Sequence, residues 1–176
     1  MDPDRRNFDI IGQLASLRRY ARSLVRDPGD AEDLVHDALV KAYERRLTFK
    51  AGANLRGWLL SIVHNTYVDA RRSHAARKRR DDALQVEGEP LQPASQEDAL
   101  HLAQIREAFL SLPLEQREAL HLVAIEDMSY QAAADTLGIP VGTLMSRVSR
   151  ARAKLRTYED DAGARSHLKL VGGGND

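Results

Sequence analysis

The side chains best suited to a chemical task lie between positions 141 and 156. Cations and a hydroxyl recur there at helical spacing: Thr143, Arg147, Arg150 and Lys154. A helix would present them on one face. Guanidinium groups bind phosphates and the O6 and N7 edge of guanine, so this face is suited to DNA. A second stripe is apolar and is predicted to face a core: Leu144, Val148, Ala151 and Leu155.

The segment Ser129–Arg156 reads as two short helices joined by a tight turn. Gly138 suits the left-handed residue that ends a helix, and Pro140 suits the start of the next one. The pattern predicts a helix-turn-helix whose second helix enters the DNA major groove. A helical hairpin with a solvated basic face stays open as the alternative.

Composition narrows the function classes. The 176 residues suffice for one medium domain or two small ones, and there is no cysteine. A disulfide scaffold, a thiolate metal site and a thiol nucleophile are therefore excluded. No apolar run approaches the ~20 residues that span a bilayer, and the N-terminus lacks the apolar core of a secretory signal. We expect a cytoplasmic protein without membrane contact.

Charge is distributed in blocks although 26 basic and 26 acidic residues balance. Positions 58–80 carry six basic residues against Asp69, and positions 131–156 carry five against Asp135. Between them, positions 81–130 carry eleven acids against Arg106 and Arg117. The blocks favour two DNA-facing patches separated by an acidic segment, and a chance fluctuation is the alternative.

Motifs of catalysis and ligand chemistry are missing from the sequence. The six histidines lack the spacing of a helical zinc site, and no serine occupies a nucleophile-elbow pattern. The only glycine run, 172–174, lies near the end of the chain. We therefore expect no metal, no cofactor and no enzymatic activity.

Helical periodicity pervades the chain and strand signals are nearly absent, so an all-α fold is predicted. We expect a first helix at about 10–25 and a third helix from Leu55 to about Ser73. Between them, a second helix is expected to begin at a cap, Asp30, with Asp33 as its reciprocal capping partner. Ser95 is the expected cap of a later helix, and Pro113 the start of another. Inward positions there are expected to be Leu102, Ile105, Phe109, Leu112, Leu120, Val123 and Ala124. The predicted domains are 8–75 and 97–158, with a linker at 76–96 between them and a frayed tail at 159–176.

Four runs occur in a fixed order: DAEDLVHDALVKAY from Asp30, LRGWLLSIVHNTYVDARR from Leu55, LPLEQREALHL from Leu112, and then the helix-turn-helix. In this combination the chain resembles bacterial sigma factors of the extracytoplasmic-function (ECF) class. The run YQAAADTLGIPVGTLMSRVSRAR is most similar to the alphaproteobacterial general-stress-response type. The resemblance covers about 14–73 and 100–156. It implies two small helical bundles, sigma regions 2 and 4, joined by a flexible linker.

The resemblance also implies three surfaces. The surface for core RNA polymerase would comprise Asp30, Asp33, Leu34, Asp37, Ala38 and Lys41. The surface for the melted −10 element would comprise the loop at 47–56, with Arg56, and Asn65, Asp69, Arg71 and Arg72. The surface for the duplex −35 element would comprise Thr143, Ser146, Arg147, Arg150, Arg152 and Lys154. Met145 stands where many class members have lysine, so one phosphate contact is expected to be missing.

The function implied is promoter-specific initiation of transcription, of stress-response genes. The partners implied are core RNA polymerase, promoter DNA and an anti-sigma factor around which the two bundles pack when inactive. Two alternatives stay open. A helix-turn-helix regulator without polymerase binding would explain 129–156 but not the earlier runs. A sigma-like mimic that sequesters an anti-sigma factor would share both regions but is normally fused to a receiver domain, for which this chain has no room.

Overall fold

A computed structural model describes residues 9–50, 52–78 and 96–170, with side chains at 9–50, 52–73 and 102–158. These residues form helices and turns without a strand, which confirms the predicted all-α class. The α-helices in chain order are α1 (Leu14–Leu24), α2 (Pro28–Glu44), α3 (Leu55–Lys78), α4 (Gln96–Leu110), α5 (Leu114–Leu120), α6 (Tyr130–Leu137) and α7 (Val141–Leu170).

Helices α1 to α3 form the first bundle. Their inward stripes meet in a core that contains Leu17, Tyr20, Val35, Leu59 and Val63. The start of α2 differs from the prediction because Asp27, not Asp30, is the cap: its carboxylate accepts from the Asp30 amide at 2.9 Å. The chain enters through extended Asp27, and Pro28 then supplies the preset φ of a first helical turn.

Both ends of the predicted linker are helical. Helix α3 continues past Ser73 to Lys78, and α4 opens at Gln96. Residues 79–95, which include the expected cap at Ser95, lie outside the described residues. The sequence from 74 to 78 contains no glycine or proline that would end α3 earlier.

Helices α4 to α7 form the second bundle, with Leu112, Leu120 and Leu122 among its buried residues. Two expectations for α4 are wrong, because Leu102 is 68% exposed and Ile105 is 46% exposed. Ala124 is also exposed rather than inward. It lies in a π-helical segment, His121–Ile125, whose wider turn shifts the register of the apolar stripe.

Helix α7 is far longer than predicted. It runs to Leu170, so residues 159–170 of the expected frayed tail are helical. Between Val141 and Leu170 the sequence contains no proline and only two glycines, at positions 142 and 163, so little in it would end the helix early. The expected tail at 171–176 lies outside the described residues.

The two bundles pack against each other and share one continuous apolar core. Helix α1 contacts α5 and the π-helical segment, and α3 contacts α6. The Tyr20 ring lies 5.3 Å from the His121 imidazole, centroid to centroid. Gly57 lies beside Met128, and a Cβ built on Gly57 would be 3.4 Å from the Met128 methyl group. The chain is therefore compact, with the helix-turn-helix held against the first bundle.

Candidate nucleic-acid and partner interfaces

The helix-turn-helix forms where the sequence places it. Ser129 caps α6 by accepting a hydrogen bond from the Ala132 amide at 3.2 Å. Gly138 ends α6 in the left-handed conformation, with φ 63° and ψ 36°. Pro140 precedes α7, which anchors itself through buried Leu144 and Val148. Because this anchoring uses one stripe of α7, the rest of its circumference is free for a ligand.

The predicted −35 residues lie on that free circumference, although not all on one face. Thr143, Ser146 and Arg150 are exposed, as are Arg152 and Lys154, while Arg147 is half-buried. A shallow polar cleft is lined by Glu115, Gln116, Thr143, Ser146, Arg147 and Arg150. Arg147 and Arg150 therefore lie on the flank of α7 that faces α5. The two arginines are about 60° apart around α7, and both lie to one side of the buried stripe rather than directly opposite it.

The predicted −10 residues lie on α3 and before it. Asn65, Asp69, Arg71 and Arg72 are exposed, and Arg56 is half-buried. The Arg71 guanidinium carbon lies 5.9 Å from the centre of the Tyr67 ring. Burial raises the pKa of Tyr67 despite the opposing charge of Arg71. The stripe thus presents two arginines and an amide to solvent beside a partly buried ring.

The predicted polymerase residues divide into two groups. Asp30, Asp33 and Asp37 are exposed on α2, and the Lys41 ammonium lies 3.8 Å from the Asp69 carboxylate. Leu34 and Ala38 are instead buried, 7% and 2% exposed. They belong to the inward stripe of α2, so they support the acidic surface from below and offer little contact area of their own. Their burial is what an apolar stripe on α2 predicts, and their part in the polymerase surface stays a prediction.

A buried polar cluster joins the bundles, and no sequence pattern indicates it. The Glu126 side chain is fully buried and accepts a hydrogen bond from the Ser16 hydroxyl of α1. Arg19, also on α1, donates to both Glu126 oxygens at 3.1 and 3.2 Å. The His121 Nε2 atom lies 3.4 Å from Glu126 Oε1. We call Ser16, Arg19, His121 and Glu126 the Glu126 cluster.

The electrostatics of the Glu126 cluster favour the ionised carboxylate. Burial by itself would raise the pKa of Glu126. The nearby His121 ring, the hydrogen bond from Ser16 and the charge of Arg19 together outweigh burial and lower the pKa of Glu126 to about 2. Glu126 is therefore charged at neutral pH, and part of its stabilisation comes from the other bundle.

Two further contacts cross the same boundary. The His64 Nδ1 atom of α3 lies 2.9 Å from the Glu118 carboxylate of α5, and both side chains are largely buried. Arg117 donates to the Leu110 carbonyl at 2.7 Å and reaches the Leu24 carbonyl of α1 at 3.5 Å. Burial lowers the pKa of Arg117. No sequence signal indicates these contacts, because Arg117 and Glu118 lie in the polar run EQRE, which is typical of a solvated helix face.

Two negative findings concern the described residues only. Among the side chains that the structure describes within 9–50, 52–78 and 96–170, no three histidine, aspartate or glutamate residues are grouped as metal ligands would be. Within the same ranges, no helix combines the length and the apolar character needed to cross a membrane.

Comparison with known proteins gives a consistent result. Residues 13–77 match the Sigma-70 region 2 family, and residues 102–155 match Sigma-70 region 4. The ECF RNA polymerase sigma factor EcfG of Rhodopseudomonas palustris is 38% identical over 95% of this chain and 94% of its own length. The sigma factor SigM of Mycobacterium tuberculosis is 33% identical over 86% of this chain and 76% of its own length.

Two solved structures resemble the chain. The sigma factor RpoE of Bartonella quintana, crystallised with the anti-sigma factor NepR, gives a TM-score of 0.77 at 35% identity, over 86% of this chain and 94% of that one. CnrH in complex with the cytosolic domain of CnrY gives a TM-score of 0.62 at 29% identity, over 86% of this chain and 85% of that one.

Proposed function

Because this chain belongs to the ECF RNA polymerase sigma factors, we propose that it directs initiation at stress-response promoters and is held inactive in the compact form seen here. It binds core RNA polymerase and directs promoter-specific transcription initiation, as the family does. The observation that carries this function is the presence of both sigma regions, in order, on a chain that a sigma factor matches nearly end to end. We place its action in the cytoplasm, as an initiation factor rather than an enzyme.

The polymerase-binding surface is assigned to the exposed side of α2. Asp33 and Asp37 are one turn apart and point outward, with Lys41 one turn further. Buried Leu34 and Ala38 hold this side of α2 in place. A carboxylate pair on a rigid helix suits a cationic partner, since desolvated charge pairs across an interface contribute both affinity and specificity.

The −10 surface is assigned to α3 and the loop before it. Arg71 and Arg72 can neutralise the phosphates of a melted strand, while Asn65 offers an amide for a base edge. Leu47, in the segment before α3, is 89% exposed and offers an apolar contact to the face of an unpaired base. The −35 surface is assigned to the polar circumference of α7. We retain 8–75 and 97–158 as the limits of the two functional regions.

The compact arrangement cannot serve both promoter elements at once. By their names the −10 and −35 elements lie about 25 base pairs apart, which is about 85 Å of duplex at ~3.4 Å per base pair. Here the two bundles share one core, with the Glu126 cluster between them. We infer that the bundles separate when the chain joins polymerase, and that an anti-sigma factor stabilises the closed form. RpoE of Bartonella quintana was solved with such a factor.

Reconstitution with core polymerase tests the proposal. The chain should co-purify with core enzyme and direct a discrete run-off transcript from stress-gene promoters. An Asp37→Arg variant that folds normally should lose most of this activity, whereas Glu44→Arg, at an exposed acid on the last turn of α2, should retain it. A chain that binds promoter duplex tightly on its own, without binding core enzyme, would instead be a helix-turn-helix regulator.

A further inference from the structure

Two exposed apolar side chains lie at the start of the DNA-reading helix. Met145 is 53% exposed and Val141 is 38% exposed, although the residues around them are polar or cationic. Val141 is the first residue of α7, and Met145 follows one turn later. The buried stripe of α7 does not need either side chain, because Leu144 and Val148 already fill it.

The pair lies on the flank of α7 opposite the arginines. Each residue turns a helix by about 100°, so Met145 is about 200° from Arg147 but only about 40° from Val141. The cleft beside α5 agrees with this geometry, since Arg147 and Arg150 line it and Met145 does not. A duplex that receives α7 in its major groove would therefore meet arginines on one side of the helix and an apolar pair on the other.

The chemistry of the major groove provides one apolar feature for such a pair. Phosphates and base edges offer charge, donors and acceptors, to which a thioether and an isopropyl group contribute nothing. The C5-methyl group of thymine is the exception. Methionine is unbranched and polarisable, so it can follow a methyl group whose position varies slightly between promoters.

We propose that Met145, supported by Val141, contacts the C5-methyl group of a thymine in the −35 element. This inference rests on the proposed function, because it assigns base specificity to a helix already placed in the major groove. It gives α7 two readouts: arginines for guanine on one flank, and an apolar pair for thymine on the other. A protein partner is the less favoured occupant, since the other exposed residues beside Met145, Ser146 and Ser149, are polar.

Deoxyuridine scanning tests the inference, because deoxyuridine differs from thymidine only by the missing C5-methyl group. The probe is a promoter duplex selected by the holoenzyme from a pool with a randomised −35 element. Each thymine of that element is replaced in turn, and holoenzyme binding is measured by competition. We expect at least one replacement to weaken binding about fourfold, the effect of losing one buried methyl group.

Variants at position 145 complete the experiment. Met145→Ala should lose about as much affinity for the thymine duplex and should no longer distinguish thymine from deoxyuridine. Met145→Lys should also lose that distinction, while its salt slope steepens by about one through a new phosphate contact. Arg150→Ala is the control: it should weaken binding but preserve the ratio between the two duplexes.

The failure of the inference is distinct from the failure of the proposed function. If the holoenzyme binds its promoter but no deoxyuridine changes affinity, Met145 is not a thymine reader. The same conclusion follows if Met145→Ala keeps the full thymine preference. If Met145→Ala weakens binding to core enzyme and leaves DNA binding unchanged, the exposed pair belongs to a protein interface. A holoenzyme that selects no promoter would overturn both proposals.

Discussion

Replacing Glu126 by glutamine should open the compact form. The substitution keeps the size of the side chain but removes the charge that Ser16, Arg19 and His121 stabilise. An amide offers only one acceptor oxygen where the Ser16 hydroxyl and the Arg19 guanidinium together donate to two, so one of these donors is left unsatisfied. Because Ser16 and Arg19 lie on α1 while Glu126 belongs to the second bundle, part of the loss falls on the contact between bundles.

The free energy lost in Glu126→Gln follows from the pKa of Glu126. Its decrease from 4.5 to about 2 corresponds to at most about 3 kcal/mol of stability at neutral pH. His121 lies in the same bundle as Glu126, so we assign about 1–2 kcal/mol to the boundary with α1, in line with hydrogen bonds to a charged group. That loss raises the ratio of open to closed molecules by about 5- to 30-fold.

Single-molecule energy transfer between the bundles measures this ratio. The chain has no cysteine, so one cysteine at Glu44 and one at Thr157, both exposed, give unique label sites. Glu126→Gln should add a low-transfer population and should raise the apparent affinity for core enzyme by a similar factor, since less of the chain is closed. Thermal unfolding of the same samples reports any loss of stability within the bundles.

Two arginines on α1 provide a matched comparison. Arg19→Ala removes a partner of Glu126, and because Arg19 is half exposed we expect a smaller opening, at most about 1 kcal/mol. Arg18→Ala removes an ion pair with Glu32 inside the first bundle and should leave the distance between bundles unchanged. A wild-type distance distribution in Glu126→Gln would contradict this role of the Glu126 cluster, and so would an opening in Arg18→Ala as large as that in Arg19→Ala.

The same carboxylate predicts a pH response. A group whose pKa is lowered by folding stabilises the fold above its unfolded pKa of about 4.5. This contribution is lost as the pH falls from about 4.5 toward the folded pKa of about 2. Wild-type stability should therefore decline across that window, and the decline should be shallower in Glu126→Gln. The free energy of unfolding is measured by urea titration at pH 5, 4 and 3 (about one pH unit apart). The same change of this free energy with pH in wild type and Glu126→Gln would contradict this assignment.

Three further predictions concern the proposed surfaces and the turn. Asp37→Arg should weaken core-enzyme binding by ~1–3 kcal/mol without changing thermal stability, as titration of labelled chain with core enzyme would measure. If Arg147 reads guanine, Arg147→Ala should cost ~1–3 kcal/mol of promoter affinity and relax the preference at one base pair. If Arg147 contacts only phosphate, affinity should fall evenly across sequences and the salt slope of binding should be lower by about one. Gly138→Ala should destabilise the fold by about 1–2 kcal/mol because φ is 63° there, whereas Gly142→Ala, in open space within α7, should stabilise it by up to about 1 kcal/mol in urea unfolding.

The periodic elements were predictable because each depends on local sequence. The turn at Gly138 and Pro140 and the inward stripe of α7 needed only helical spacing and the preferences of glycine and proline. The exposed stripe of α3 followed from the same spacing. Errors arose where two local signals competed, as at the start of α2, where Asp27 with Pro28 prevailed over Asp30 with Asp33.

The contacts between bundles were not predictable, because their partners are distant in sequence. Ser16 and Glu126 are separated by 110 positions, and His64 and Glu118 by 54. A single charged residue carries no record of its partner. The π-helical segment that precedes Glu126 also breaks the periodicity on which stripe assignment depends. The exposure of Leu102 and Ile105 was missed because an apolar residue on a predicted helix is assigned to a core by default.

Run-off transcription with reconstituted holoenzyme tests both the proposed sigma activity and the inactive role of the closed form. Core polymerase should produce a promoter-specific transcript only when this chain is added, and Glu126→Gln should give at least as much transcript as wild type at limiting chain concentration because it opens more readily. Asp37→Arg should give little or none. Full promoter-specific activity in Asp37→Arg would contradict the assigned polymerase surface. Reduced core-enzyme affinity in a folded Glu126→Gln would contradict the inactive role of the closed form.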